Sequence, residues 1–504
     1  STLSLLQEFY QEYSKKYFSI LKKIVRGYFP YKTILVNIPQ FIDFDTRARG
    51  FEIPVTTQLF KKIACSDKKL IFGGAYQLRR IDWENFHDVS LATDFINFIN
   101  PYKKNICAEL QTGIMRDRPK IYPEDVEFHL KTALASGIKG INCYMFSGGE
   151  NPEGMGLFGK YHDWQAPLDP IGKEKPHLEP IKEMGCFLKT FGKSLLKSKK
   201  QICAAIGFYP PYFSNIFSNF PQLENARNRY FFDGIARLLL LNNIHFEIID
   251  IENGNLPLKQ TWIFSWKWMD EKTQKKILKF VKQGGRVVIG PSLPQFLLKK
   301  LNIKKSILHG NSTALSNGIE YFCENFVELY KGVFDKILTE HRKGVCAFLK
   351  RYGRGFLLCY GFPITSNYNY FISLIKKWAE ILEIKKPFET DTNEIIFTMH
   401  TTEKGKILFA FNFHNIFIKT NLKIRNSFYE ISFFPKQLKI LPLNFKISKD
   451  KKIAFSTATI LKFTEEKILI SGCNGESGFV EIEKKGKKVI KKFKLAGGKK
   501  WIKI

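Results

Sequence analysis

Glu109 lies within an apolar run, Ile106-Cys107-Ala108-Glu109-Leu110. A carboxylate in such a run costs several kcal/mol unless it is satisfied or put to use. Further on, the run Ile141–Phe146 carries Tyr144 and ends in Ser147-Gly148-Gly149-Glu150-Asn151. A third group, Tyr161, Asp163 and Trp164, sits in the Gly- and Pro-rich stretch 151–180. Aromatic rings next to carboxylates suit carbohydrate, because rings stack on sugar faces. Each group also has a plainer reading. Glu109 could be a buried, ion-paired carboxylate, and Tyr144 a core aromatic. Glu150 and Asn151 could form a turn after the double glycine, and the last triplet could be ordinary loop. Asp43 and Asp45 read as solvated or capping residues.

The elements that position these groups follow from periodicity. The runs around Glu109 and Tyr144 are separated by the length of a β-α-β unit, with Pro-Glu-Asp-Val-Glu-Phe-His-Leu-Lys-Thr-Ala-Leu-Ala-Ser-Gly (123–137) as the crossover helix. In parallel α/β folds chemistry is built at the C-terminal strand ends, which is where Glu109 and the 147–151 loop fall. Upstream, residues 1 to about 30 read as one helix, with Leu5, Phe9, Tyr13, Tyr17, Ile20 and Ile24 at three- and four-residue spacing. Strands follow at 33–39 and 69–77, the second with two glycines that allow close backbone approach. Residues 40–67 read as loop, and 90–100 supply a helix stopped by Pro101. This alternation implies a parallel sheet with helical crossovers, closing at a helix over 181–197.

Residues 201 to about 385 restart an α/β pattern that resembles a doubly wound, flavodoxin-like domain, with 293–350 less regular. Neither GxGxxG nor a Walker motif is present, so nucleotide binding has no support. From about 388 the pattern becomes period two, with short strands at 8–12-residue spacing, which implies a β-sandwich.

Composition bounds the function classes. The 504 residues provide for two to four domains. No run reaches 18 apolar residues, so no transmembrane helix is expected, and no signal peptide is read at the start. The chain opens on Ser1, so a natural start upstream is expected. Nine cysteines without CxxC spacing read as reduced core residues of a cytoplasmic protein. Nine histidines show no paired spacing, so neither a metal nor another cofactor is expected. The net charge of +32 could serve a polyanion. The lysines are scattered in doublets, however, and no nucleic-acid motif appears. Compositional bias is the simpler reading, and a thermophilic source fits it.

With those residues in view, the first domain resembles the second half of the catalytic barrel of family 35 glycoside hydrolases, with likeness to family 42. The resemblance rests on Ala-Glu-Leu-Gln-Thr-Gly (108–113), Asn-Cys-Tyr-Met-Phe-Ser-Gly-Gly-Glu-Asn-Pro-Glu-Gly (142–154) and Ile-Phe-Gly-Gly-Ala-Tyr (71–76). Those families hold β-galactosidases and, among thermophile members, exo-β-glucosaminidases. The resemblance implies an α/β chain of three domains: 1–197, strands five to eight of a TIM (β/α)8 barrel; 198–387, flavodoxin-like; 388–504, a β-sandwich. It makes Glu109 the nucleophile of a retaining exo-β-glycosidase. Tyr144, Glu150, Asn151, Gln111 and Tyr76 would lie at the sugar, with Asp163 and Trp164 beside it. Retention needs a second carboxyl group about 5–5.5 Å from the first, and in this group it follows barrel strand four. Only four strands can be counted here, and a half barrel leaves open edges. Strands one to four, with the acid/base, are therefore expected from a separate chain or an upstream segment. The rival is that Asp163 or Glu150 serves as the acid. An oligosaccharide substrate and a homo-oligomeric assembly are also expected, with no nucleic acid and no membrane partner.

Overall fold

The computed structural model describes residues 2–43, 54–77, 80–100, 104–114, 120–156, 159–212, 221–257 and 260–504. Asp45, with the rest of residues 44–53, lies outside them. The chain divides into two compact units, one built around Ile202–Lys386 and the other around Leu59–Gln201 with Pro387–Ile504. None of the described helices is long and apolar enough to cross a membrane.

The first part of the chain sets helices and strands in strict alternation, most of them in the second of these units and the start of α1 and of α2 in the first. They are α1 (Thr2–Tyr28), β1 (Ile34–Asp43), α2 (Pro54–Ser66), β2 (Leu70–Gln77), α3 (Phe86–Ile99), β3 (Ile106–Gln111), α4 (Pro123–Ser136) and β4 (Gly140–Tyr144). The four strands form one parallel sheet in the order β1-β2-β3-β4. The expected loop over 40–67 instead contains α2. Its apolar residues Phe60, Ile63 and Ala64 recur at helical spacing, and Phe60 stacks on Phe72 of β2 at 4.6 Å. Two threonines and a leading proline masked this period in the sequence.

Local chemistry fixes the crossover before the site. Pro123 opens α4, the Asp125 carboxylate accepts the Tyr122 N–H at 2.9 Å, and Gly137 closes the helix at φ 110°. A Cβ on Gly73 would come within 2.8 Å of the Ile106 carbonyl, so the close approach inferred from sequence is to the neighbouring strand.

One face of this sheet is covered by helices, and α3 is buried around nearly its whole circumference. The other face is open. Leu35 is 43% exposed there, and Asn37, Asn142 and Tyr144 are exposed with it. The α1 residues Phe9, Tyr13, Tyr17, Ile20 and Ile24 also form an exposed apolar stripe. Among the described residues, β1 and β4 each have one unpaired edge.

After β4 come a hairpin of β5 (Gly149–Glu150) and β6 (Tyr161–His162), then α5 (Leu178–Leu196) and β7 (Lys199–Lys200). β7 pairs antiparallel with Ile395–Thr401, which joins the first and third expected domains into one unit. Buried polar links reinforce the junction. Lys200 pairs with Asp94, and His400 bridges Ser198 Oγ and the Ala135 carbonyl at 3.1 and 2.8 Å. The region from Pro387 onward is antiparallel β-structure throughout. Its first two sheets share a core that includes Phe397, Leu408, Leu422, Ile431, Phe433 and Leu441.

The unit around Ile202–Lys386 begins with β8 (Ala204–Phe208), α6 (Pro221–Asn225), a π-helical stretch (Ala226–Ala236) and α7 (Arg237–Leu241). β9 (Phe246–Asp250), β10 (Gln260–Ser265), α8 (Glu271–Lys282) and β11 (Arg286–Pro291) follow. After α9 (Gln295–Lys300) come β12 (Lys304–His309), β13 (Ser312–Ser316), β14 (Ile319–Cys323), β15 (Phe326–Lys331), β16 (Lys336–His341) and β17 (Gly344–Tyr352). β18 (Gly355–Tyr360) and α10 (Tyr370–Ile381) complete it. The parallel strands run β9-β8-β10-β11-β18, the 2-1-3-4-5 order of flavodoxin-like sheets. The segment 293–350, irregular in sequence, is an antiparallel extension of β12–β17 that reaches the parallel part through β17 and β18. Its strands are short and turn at left-handed asparagines (Asn302, Asn317, Asn325), which broke the alternation read from sequence.

Candidate active site

Glu109 faces the open side of the four-stranded sheet because β3 carries one extra residue. Between Cys107 and Leu110 the register slips by one against both neighbours: Cys107 pairs with Gly74 and Ile141, whereas Glu109 pairs with Ala75 and Leu110 with Cys143. Such bulges re-aim a side chain and recur beside active sites. Leu110 and Cys107 stay fully buried, while Glu109 is partly exposed.

One side-chain amide holds the carboxylate. Asn37 of β1 donates from Nδ2 to Glu109 Oε1 at 2.6 Å, a short charge-assisted bond. On β4, burial and then the Glu109 charge push the Tyr144 hydroxyl above its ordinary range. That phenol therefore stays protonated beside the carboxylate and can donate. Below it, burial raises the Cys107 thiol well above its usual value, so the sulfur stays neutral.

The end of β3 also fixes Tyr144. The Thr112 N–H donates to the Tyr144 carbonyl at 2.7 Å, and Thr112 Oγ1 to the Met145 carbonyl at 3.0 Å; the Tyr144–Met145 peptide is cis. Trp164 sits edge-on to Tyr144, with ring centroids 6.5 Å apart and 66° between planes. Its backbone is left-handed at φ 57°, and its carbonyl accepts the Ile114 N–H at 2.6 Å. Gly113 is confined by this packing, because a Cβ there would come within 2.7 Å of that carbonyl.

Glu109, Tyr144 and Trp164 thus come together, and the other expected residues have partners of their own. Glu150 lies on the exposed hairpin and pairs with Lys160 at 3.0 Å, with Tyr161 exposed opposite it. The Asn151 side chain closes its own loop, donating to the Gly159 carbonyl at 2.7 Å. Asp163 is ion-paired to Lys175. Gln111 is buried, and its carbonyl contacts His129 Nδ1 at 2.7 Å. Tyr76 is 1% exposed, 3.5 Å from Thr93 of α3. Placing Tyr76 at the sugar is corrected here, because it pairs with Leu110 and shares that residue's helix-facing side. Asn37 was missed in sequence, although a lone amide in the apolar strand Thr33–Pro39 was a readable signal.

Comparison with known proteins places this arrangement in context. A family profile described as GLMA-like, second domain, matches residues 218–311. The chain is 27% identical over 476 residues to a β-1,2-glucosyltransferase of Ignavibacterium album, covering 88% of this chain and 66% of that protein. It is 34% identical over 185 residues to an exo-β-D-glucosaminidase of Pyrococcus horikoshii, covering 34% of this chain and 24% of that protein. A Thermococcus kodakarensis exo-β-D-glucosaminidase is 28% identical over 414 residues, covering 75% and 52%. The chain therefore spans about two thirds or less of the length of these curated relatives.

Among solved structures, a β-galactosidase from Bacillus circulans sp. alkalophilus aligns with TM-score 0.67 at 14% identity, over 86% of this chain and 67% of its own. A family 42 β-galactosidase from G. stearothermophilus aligns with the same values. The chain thus has an α/β fold similar to family 42 β-galactosidases, with a β-rich C-terminal region. Its curated relatives are two β-glycosidases and a glycosyltransferase. This likeness in fold is to family 42, the second of the two families that the motifs suggested; family 35 in particular is not shown.

Proposed function

We propose that this chain is the nucleophile-bearing part of a retaining, exo-acting β-glycosidase, a β-galactosidase or exo-β-D-glucosaminidase. The observation that carries the reading is Glu109, turned by a bulge onto the open sheet face between the Asn37 amide and the protonated Tyr144. Glu109 attacks the anomeric carbon, the glycosidic C–O bond breaks, and the departing oxygen takes a proton from a general acid. Water, deprotonated by that same acid/base, then displaces the carboxylate. Trp164, edge-on to Tyr144, offers an apolar wall for the sugar.

The acid/base comes, in this reading, from four further strands supplied by a second chain or by further sequence of the same protein. Two open sheet edges, the exposed face around Leu35 and the apolar stripe of α1 support that view. Glu150 and Asp163, the acids of the rival reading, are each paired to a lysine.

A second reading is favoured by the similarity to the β-1,2-glucosyltransferase over 88% of the chain. There a sugar hydroxyl, in place of water, accepts the glycosyl group from Glu109. Incubation of the natively purified protein with an activated aryl β-glycoside, with and without a sugar acceptor, separates hydrolysis from transfer. Glu109→Gln should lower either activity by orders of magnitude while sugar binding survives. Unchanged turnover in that variant overturns the nucleophile assignment. Absence of turnover in the wild-type assembly leaves a non-catalytic carbohydrate-binding subunit as the answer. Native mass spectrometry should show a companion of about 20–30 kDa, the size of four β/α units with insertions given ~250 residues per barrel, or else a longer chain.

A further inference from the structure

The flavodoxin-like unit holds a cleft of about 290 Å³ at the carboxyl ends of its parallel strands. In sheets of this order, ligands bind outside those ends, where the strand order reverses. Here the reversal falls between β8 and β10. Trp266 and Lys267 follow β10 directly, Ser292 follows β11, and Asn225 and Tyr230 come from the helical segment after β8. The cleft is therefore built by all three strands around the switch point.

Its walls are aromatic and fixed. The Trp266 ring stacks on Phe264 at 6.3 Å and meets Phe326 edge-on at 5.7 Å, and the Trp266 backbone N–H donates to the Tyr212 hydroxyl at 3.0 Å. The Tyr230 hydroxyl accepts from Asn325 at 2.7 Å. The floor is Glu328, 1% exposed. It receives Ser292 Oγ, the Leu293 N–H, the Tyr330 hydroxyl and Lys305 Nζ at 2.5, 3.1, 2.8 and 2.9 Å. Four donors saturate this carboxylate, so the floor is rigid and its charge is compensated. The groups left at the rim are neutral amides and an imidazole (Gln222, Asn225, His309), plus Lys267, which is itself bonded to Gln222 at 3.2 Å.

This chemistry selects against phosphate. The turn after β8 reads Tyr209-Pro210-Pro211, and two prolines remove the backbone donors that would cradle an anion. Rigid aromatic faces with a rim of amides, an imidazole and a single lysine tied to Gln222 match a pyranose, which has apolar ring faces and a belt of hydroxyls. The volume lies near the lower end for ligand sites. We propose that this cleft is a second carbohydrate site, separate from Glu109, that takes a neutral mono- or disaccharide against Trp266. It does not depend on the glycosidase reading.

The test is calorimetric titration and saturation-transfer NMR of the full chain with D-glucose, D-galactose, their β-linked disaccharides and glucose 6-phosphate. The Glu109→Gln protein should bind a neutral sugar with millimolar affinity. Gln222→Ala with Asn225→Ala, both at exposed rim positions, should weaken that binding about tenfold. Trp266→Phe should keep the fold and lose part of the ring-proton transfer. Three results overturn the proposal: no saturable binding in the tens-of-millimolar range, binding unaffected by the rim pair, or tighter binding of the phosphorylated sugar. Failure of the Glu109 reading leaves this experiment untouched.

Discussion

Asn37→Ala in the assembled enzyme should slow release of the covalent sugar more than its formation. The Asn37 amide donates to Glu109 Oε1 at 2.6 Å. When water hydrolyses the glycosyl-enzyme, Glu109 regains its negative charge, so this donor stabilises the second step. A hydrogen bond to a charged group contributes about 1.5–3 kcal/mol, and ~1.4 kcal/mol is tenfold in rate. Asn37 is exposed and Glu109 half-exposed, so water can replace part of the lost bond. The expected fall in kcat is therefore near the lower end, about 10- to 30-fold. Because Asn37 lies at the surface, melting should move little. Stopped-flow kinetics with an activated aryl β-glycoside should show a larger burst in the variant, with the adduct visible in intact-protein mass spectra. A kcat within twofold of wild type, or a slow variant that accumulates no adduct, refutes the argument that Asn37 serves the Glu109 carboxylate.

Two further predictions concern stability. Lys139 is partly buried and donates to the Leu195 carbonyl and Ser198 Oγ at 2.8 Å each; burial, then the charge of Lys104, hold its pKa down at about 8, against 10.5 for the free side chain. Its folded value lies below its unfolded one, so folding expels a proton between those pH values and stability rises with pH across that window. The stability of wild type relative to Lys139→Met should climb by up to about 3 kcal/mol there, and a difference that stays constant in denaturant titrations sinks the idea. In the β-rich region, Lys439 and Glu476 form an ion pair with side chains 2% and 1% exposed, supported by the Thr457 carbonyl, Gln437 and the Cys473 N–H. Glu476→Gln or Lys439→Met alone should cost about 3–5 kcal/mol and the double replacement less than their sum, whereas singles within ~1 kcal/mol of wild type would show the pair to be dispensable.

The sequence made some of this site legible and hid the rest for identifiable reasons. Glu109 stood out because a charged residue is expensive inside an apolar strand. The four strands stood out because parallel strands need continuous apolar runs. The bulge was hidden, since one extra residue between Cys107 and Leu110 is visible only against the register of both neighbours. Parity then decides which side chains share a face, and Tyr76, expected at the sugar, shares the buried side of Leu110. Glu150 and Asn151 follow a double glycine, which as sequence fits either a sugar-binding loop or a tight hairpin. In the fold the hairpin satisfies both side chains locally, Glu150 with Lys160 and Asn151 with Gly159. The antiparallel extension over β12–β17 was lost to short strands with left-handed turns between them.

The helix-covered side and the open side of the four-stranded sheet differ in a way that bears on the proposed chemistry. On the helix side, polar links such as Lys200–Asp94 and His400–Ala135 seat the β-rich region against α3 and α4. Nothing among the described residues does the same for the face that carries Leu35, Asn37, Glu109 and Tyr144. Natural sheets blunt their edges or cover them; here both edge strands and the apolar stripe of α1 are left bare. An exposed apolar sheet face loses about 25 cal/mol for every Å² left in water, so a covering element gains most where the exposure is greatest. We infer that whatever closes this face also brings the missing acid/base carboxyl to Glu109. Stability and catalysis would then depend on the same partner surface. Polar substitution of Tyr17, Ile20 and Ile24 should impair assembly and turnover together, leaving the flavodoxin-like unit folded.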